Sequence, residues 1–114
     1  MSVQAVIGSA YSFAVQESSS VFLDVVCKNE NNVAVTPKTV TWSLYDDDDS
    51  IINSRQDVSA TPGAITKIIL APEDTTLVGG AAKGRVIKVK ATYDSDRGTD
   101  LTDTGGIRFR VLPV

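Results

Sequence analysis

Four aspartates near the C-terminal end of the chain have a spacing that could hold a metal ion. Asp94, Asp96, Asp100 and Asp103 are separated by short polar intervals, and calcium prefers several carboxylate oxygens as ligands. The pattern departs from an EF-hand loop, because Gly98 replaces the third ligand and no Glu closes the segment. The same residues are typical of a hairpin loop with Gly98 at a positive φ angle. We expect the hairpin loop, with calcium binding as the alternative.

A run of four consecutive aspartates, residues 46–49, raises a second metal hypothesis. Calcium and magnesium both require several carboxylate oxygens that converge on one point. In a turn between two strands the side chains of consecutive residues diverge, so few of the four could reach one ion. We expect a solvated turn that keeps one end of a sheet in water.

The residues needed for the common catalytic systems are missing. The chain has no histidine, which removes the commonest general base, metal ligand and pH switch. Cys27 is the single cysteine and extends an inward apolar series, which predicts a buried rather than a reactive thiol. The segment from Gly79 to Gly84 lacks the spacing of a phosphate-binding loop. Paired carboxylates stay open as an acid–base system, but a sandwich of this size offers little room for a cleft. We expect neither an enzyme nor a cofactor.

Length and composition indicate one domain without nucleic-acid or membrane binding. The chain has 114 residues, of which 42% are apolar, and a net charge of −3. These values suit a single core and argue against binding to a phosphate backbone. No apolar run approaches the roughly 20 residues of a membrane helix. The N-terminus lacks a basic region followed by a long apolar core, so we expect no export signal and folding in the cytoplasm.

The segment of residues 85–93 shows the clearest structural pattern. One face of an extended strand would carry Arg85, Ile87, Val89, Ala91 and Tyr93. The other face carries Lys88 and Lys90. A period of two with outward lysines predicts a half-buried antiparallel strand. Together with Arg85, Arg108 and Arg110, these lysines are expected to form a solvated sheet surface.

Most of the chain follows the same period. Further inward series are Val21, Leu23, Val25 and Cys27; Val40, Trp42 and Leu44; and Ile107, Phe109 and Val111. Shorter strands are predicted near residues 11–15, 33–35, 51–52 and 64–70, separated by Asn, Asp, Gly and Pro. The sequence therefore predicts an all-β fold, an antiparallel β-sandwich of seven to nine short strands. A jelly roll and a small barrel are the alternatives.

Three of these segments resemble the immunoglobulin-like (Ig-like) domains of bacteria and phages. They are Val40-Thr-Trp-Ser-Leu44, Val89-Lys-Ala-Thr-Tyr93, and Ile107-Arg-Phe-Arg-Val111 beyond an acidic Gly-containing loop. In such domains a core Trp lies on a middle strand, and a Tyr-bearing strand pairs with the terminal one. The resemblance covers residues 13–111 but lacks the usual cysteine pair. More narrowly, the chain is similar to small Ig-like proteins of tailed-bacteriophage virions, which include capsid decoration proteins and neck or tail accessory proteins.

The resemblance implies a non-catalytic structural protein of a phage particle. We expect a capsid decoration or cement protein that stabilises the shell by binding neighbouring capsid subunits. Its partners would be the major capsid protein or other virion subunits, with homo-oligomerisation as an addition, and its location the virion. The alternatives are a neck, tail or fibre-associated module, and a carbohydrate-binding or adhesion module.

Recognition is expected at the N-terminus and in the loops. Residues 1–9 are either an N-terminal arm or a first strand, and residues 10–114 form the sandwich domain. An arm could add a strand to a partner, which makes Val3, Val6 and Ile7 the first candidate binding residues. The loops at residues 75–84 and 46–52 are the next candidates, together with Tyr45, on an outward face, and Ile51, which lie on either side of the aspartate run.

Overall fold

The structure is a computed structural model that describes residues 2–3, 13–77 and 81–114. Nine strands and one 3-10 helix form within these ranges. The strands are β1 (Ser2–Val3), β2 (Phe13–Gln16), β3 (Val21–Lys28), β4 (Ala34–Val35), β5 (Thr39–Asp46), β6 (Val58–Ala60), β7 (Thr66–Leu70), β8 (Lys83–Ser95) and β9 (Gly98–Leu112). The 3-10 helix, Pro72–Thr75, lies between β7 and β8. In these ranges no helix has the length and apolar character needed to cross a membrane.

The strands form two sheets. The larger sheet has the order β2-β9-β8-β5-β6, and the smaller sheet is built around β3, which pairs with β1, β4 and β7. Ig-like sandwiches divide their strands in this way, with the second and fifth main strands in one sheet and the third, sixth and seventh in the other. The predicted all-β sandwich of seven to nine strands is confirmed. It is not purely antiparallel, because β2 runs parallel to β9.

The core lies between the two sheets and is formed by alternate residues of each strand. The inward series predicted from the period of two are all buried, and Leu23, Leu44, Ile87 and Phe109 have almost no exposed surface. Cys27 and Trp42 belong to the same cluster, so their predicted core positions are confirmed. The alternation succeeds as a predictor because successive side chains of a strand point to opposite faces of its sheet.

The hairpin of β8 and β9 is longer than predicted. Pairing continues past Ala91 and Asp103 to Tyr93 and Leu101, so only a short turn around Asp96 and Arg97 separates the strands. The predicted hairpin is confirmed, but the loop expected over residues 94–103, with Leu101 as a possible start of the return strand, is reduced to a short turn, because β9 already begins at Gly98. Threonines among the aspartates favour extended backbone, and pairing with β8 supplies the hydrogen bonds. Gly98 has a φ of 158°, so its predicted positive φ angle is confirmed.

Two other segments differ from the predicted pattern. The strand expected at residues 51–52 is reduced to a single bridge between Ile51 and Tyr45. Asn53 and Ser54, directly after it, have positive φ angles of 51° and 58°, which ends the extended conformation. The strand predicted near residues 64–70 starts two residues later, because β7 begins at Thr66, and its residues alternate between buried and exposed positions.

The N-terminal residues join the smaller sheet where they are described. Ser2 and Val3 pair antiparallel with Val26 and Val25 of β3. Val6 and Ile7 lie outside the described residues, as does Tyr11. The choice between an arm and a first strand for residues 1–9 therefore stays a prediction.

Candidate functional site

The four aspartates of the candidate calcium loop do not converge on one point. Asp94 and Asp100 bind the Lys38 ammonium group, with Nζ–Oδ1 distances of 3.1 and 2.6 Å. Asp96 is exposed in the hairpin turn. Asp103 accepts the Lys28 backbone N–H across the sandwich, at 3.0 Å. Within the described ranges no group of three or more His, Cys, Asp and Glu residues could hold a metal ion.

The ion pairs at the hairpin end make a testable prediction about Asp94. A hydrogen bond from the Asp100 backbone N–H, followed by the Lys38 ammonium group, lowers the pKa of Asp94 below 3.8. A lowered carboxyl pKa stabilises the fold above the unfolded-state pKa, and this contribution is lost as the pH falls through the folded-state pKa. In Lys38→Met we expect the Asp94 pKa to rise towards 3.8 without reaching it, because the backbone donor remains. An NMR titration of the carboxyl carbons measures it, with Lys90→Met as control. An unchanged Asp94 pKa in Lys38→Met would contradict the assignment.

The aspartate run forms the turn that follows β5. Asp46 Oδ1 accepts the Asp48 N–H at 2.8 Å, and Asp48 Oδ1 accepts the Ser50 N–H at 3.0 Å. Asp47 Oδ2 accepts the Gly84 N–H of β8 at 2.9 Å. Three of the four carboxylates thus satisfy backbone donors, and Asp47, Asp48 and Asp49 are exposed. The turn predicted from the sequence is confirmed.

The predicted partner-binding residues are divided between the two sheets. Tyr45 and Ile51 form a bridge at the end of β5, and the Lys88 ammonium lies 4.6 Å from the centre of the Tyr45 ring. Val3 lies in the smaller sheet, opposite Val25. The structure therefore brings Tyr45 and Ile51 together, and it does not place Val3 in the same sheet with them. Their role in binding stays a prediction.

A shallow bowl of about 430 Å³ lies on the outer face of the larger sheet beside Tyr45. Gly105 and Gly106 of β9, which have no side chains, line this depression together with Lys88 and Lys90. Arg108 and Arg110 are exposed further along β9, so four of the five basic residues lie on the predicted solvated surface. Arg85 is the exception, because it is only 5% exposed and points into the sandwich.

An exposed apolar pair on the smaller sheet was not predicted as a binding surface. Phe22 of β3 lies directly opposite Ile69 of β7, and these side chains are 71% and 58% exposed. Asp24 and Lys67, the next outward pair on the same strands, carry opposite charges. An apolar centre flanked by charged residues is typical of a protein interface. The signal in the sequence was the apolar residue at each of two outward positions.

The backbone edge beside this pair extends the same surface. Among the described strands, β7 pairs only with β3, and Ile65, just before β7, is 48% exposed. An unpaired edge presents N–H and C=O groups that a partner strand can bind. We call Phe22, Ile65, Ile69 and the free side of β7 the β7 surface.

The buried carboxylate of Asp74, which was not predicted from the sequence, holds the 3-10 helix that follows β7 in place. Asp74, in the 3-10 helix, is 1% exposed. Its Oδ1 accepts hydrogen bonds from Asn53 Nδ2 at 2.9 Å and Arg55 Nε at 3.1 Å, and its Oδ2 accepts the Ala71 N–H at 2.9 Å. This cluster ties the segment after β5 to the segment after β7. The residues of this cluster are far apart in the sequence, so no local motif predicts that they come together.

The remaining candidates, Cys27, Trp42 and Tyr93, are buried, which limits their reactivity and their access to ligands. Cys27 is 2% exposed, and burial, followed by the charge of Asp103, raises the pKa of its thiol. A neutral, buried thiol is a poor nucleophile, which agrees with the predicted packing role. Trp42 and Tyr93 are 6% exposed, so neither presents a ring to a ligand at the surface.

Comparison of the chain with protein-family models, with curated proteins and with solved structures found no match.

Proposed function

We propose that this protein is a non-catalytic structural component of a tailed-phage particle. It binds neighbouring subunits of the assembled capsid and so acts as a decoration or cement protein. The class of particle is proposed from the resemblance to virion Ig-like proteins. The observation that carries the binding role is the β7 surface, where Phe22 and Ile69 stay exposed side by side.

The exposed apolar pair supplies a driving force for docking. Complete burial of a Phe or Ile side chain contributes about 1.5–3 kcal/mol. Since the two side chains are 71% and 58% exposed, covering them would contribute about 1–2 kcal/mol each. A partner strand alongside β7 would add main-chain hydrogen bonds.

A capsid offers a way to turn such a modest contact into stable attachment. A stable interface usually buries about 800 Å² on each partner, which is far more than two side chains supply. Contacts with two neighbouring subunits act together, because the second contact forms at a high effective concentration. Binding to assembled neighbours over free subunits then stabilises the shell by mass action.

Locating the protein on purified particles tests this proposal. We expect it to co-purify in density gradients with tailed particles from the host that carries its coding sequence, in many copies per particle by quantitative mass spectrometry. A few copies, confined to the neck, tail or fibres by gold labelling, would replace the capsid assignment with the alternative location. Absence from intact particles, with the protein present in the same lysate, would overturn the proposal.

A further inference from the structure

The shallow bowl beside Tyr45 is open to solvent and large enough for a small ligand. Its volume is about 430 Å³, and a second depression of about 300 Å³ adjoins it and shares Thr41, Asp57 and Lys90 with it. These volumes lie within the range of small-molecule sites. Five residues of the lining of the bowl are exposed: Asp57, Lys88, Lys90, Thr104 and Gly106.

Most polar side chains of the bowl are not engaged within the chain. In the part of the chain that the structure describes, no side-chain hydrogen bond or ion pair is formed by Thr41, Asp57, Lys90 or Thr104. By contrast, the Thr39 and Thr92 hydroxyls, in the second depression, lie 2.6 Å apart and hydrogen-bond to each other. The unengaged donors and acceptors are therefore free to bind a ligand in place of water.

Gly106 leaves part of the floor of the bowl without a side chain, and the fold does not require a glycine there. It lies within β9, opposite Lys88, and among the described glycines only Gly98 has a positive φ angle. A Cβ atom at residue 106 would lie 3.5 Å from the Ile87 carbonyl oxygen, which is an ordinary contact distance. Glycine weakens a strand and often marks a place where a ligand or another backbone approaches closely. The bare floor therefore favours an occupant that lies flat against the backbone.

The charges of the lining do not favour a simple ion. Two ammonium groups, of Lys88 and Lys90, face the same bowl as the Asp57 carboxylate. The ammonium groups donate hydrogen bonds, the carboxylate accepts them, and the hydroxyl groups of Thr41 and Thr104 do both. A ligand with many hydroxyl groups, each of which donates and accepts, matches this mixture better than an anion or a cation does.

We propose that the bowl binds a saccharide, with one sugar ring against Gly106 and the next sugar in the second depression. The C–H groups of the ring would contact the bare backbone and the Tyr45 ring, while its hydroxyl groups would bind Asp57 and the two lysines. The bowl lies on the larger sheet and the β7 surface on the smaller one, so a saccharide and a protein partner can bind together. The inference is independent of the proposed capsid role, because it rests on the lining of the bowl.

Binding of the full chain to an array of immobilised bacterial and mammalian glycans tests the proposal. We expect binding to at least one saccharide, with a midpoint below about 1 mM when that saccharide is titrated in solution. Backbone NMR resonances follow the titration, and we expect saturable shifts at Lys88, Lys90 and Gly106. The absence of glycan binding, or saturable shifts confined to residues outside the bowl, would overturn the proposal.

A variant that fills the floor tests the role of Gly106. Gly106→Val should weaken saccharide binding at least about 10-fold, because its side chain occupies the space of the sugar ring. A β-branched residue suits a strand, so the fold should be retained. Thr102→Ile adds bulk at an exposed position of the same strand outside both depressions, and it should leave the midpoint unchanged. Equal affinities of these two variants would contradict the assignment.

A second variant separates a saccharide from an anion. Asp57→Asn removes a negative charge, and Asn tolerates the positive φ angle of 51° at this position. Saccharide binding should weaken about 5-fold, because a charged acceptor is replaced by a neutral one. An anionic ligand would instead bind Asp57→Asn more tightly, because the variant removes repulsion beside two lysines, and that result would overturn the proposal. The wild-type measurements decide even if a variant fails to fold.

Discussion

Replacing Asp74 with Ala is expected to lower the free energy of unfolding by about 2–3 kcal/mol, because it removes a buried carboxylate that accepts three hydrogen bonds. The wild-type carboxylate accepts three hydrogen bonds while it is 1% exposed. Its removal would leave Arg55 Nε and the Ala71 N–H without this acceptor, while Asn53 Nδ2 would keep its hydrogen bond to the Glu73 carbonyl oxygen. The loss would also release the 3-10 helix from the segment that follows β5. Urea unfolding followed by Trp42 fluorescence measures the change.

The neighbouring residue provides the matched control for this change. Glu73 contacts the same Arg55 at 3.6 Å, but its side chain is 64% exposed. Exposed ion pairs contribute about 0–1 kcal/mol, so Glu73→Ala should lower stability by less than about 1 kcal/mol. If Asp74→Ala were as stable as Glu73→Ala, the cluster would not stabilise the fold as the structure indicates.

Replacing both Phe22 and Ile69 with Ser is expected to weaken binding to the capsid by about 30- to 700-fold. The estimate follows from the loss of about 2–4 kcal/mol of apolar burial, at 1.4 kcal/mol for each factor of ten. Both side chains point away from the core, so unfolding stability should change little. Titration of shells that lack the protein, with bound protein quantified after sedimentation, measures the affinity.

An exposed apolar residue outside the β7 surface controls for a general loss of hydrophobicity. Val33 is 56% exposed in the connection between β3 and β4. Val33→Ser should leave the affinity within about two-fold of the wild type, because surface changes away from an interface have small effects. A double variant that binds as tightly as the wild type would show that the β7 surface does not contact the shell.

The core could be predicted because each of these strands has one face in the core and one outside it, so core residues occur at every second position of the sequence. Apolar residues recur at every second position, and all ten are buried: Val21, Leu23, Val25 and Cys27; Val40, Trp42 and Leu44; and Ile107, Phe109 and Val111. A period of two leaves few alternatives when one face must meet another sheet. The basic residues show the limit of this prediction. Arg85 lies at an inward position of the period and is buried, but its charge led to its assignment to the solvated surface.

The features that were missed depend on contacts between distant segments. The length of β9 is set by its pairing with β8, which carries the strand through a sequence rich in Asp and Thr. Asp74 is identified as buried only when Asn53 and Arg55 are brought beside it. Phe22 is an apolar residue at an outward position of β3, but its exposure depends on which of the described segments pack against that face. Local propensity cannot report such partners.

Electron cryomicroscopy of purified particles would show whether this protein binds the capsid through the β7 surface. We expect density for this β-sandwich at repeated positions on the capsid exterior, with the β7 surface against neighbouring capsid subunits. In that orientation Phe22 and Ile69 are covered, and Lys88 and Lys90 on the larger sheet face solvent. A shell without this density, or a bound sandwich with Phe22 and Ile69 turned to solvent, would contradict it.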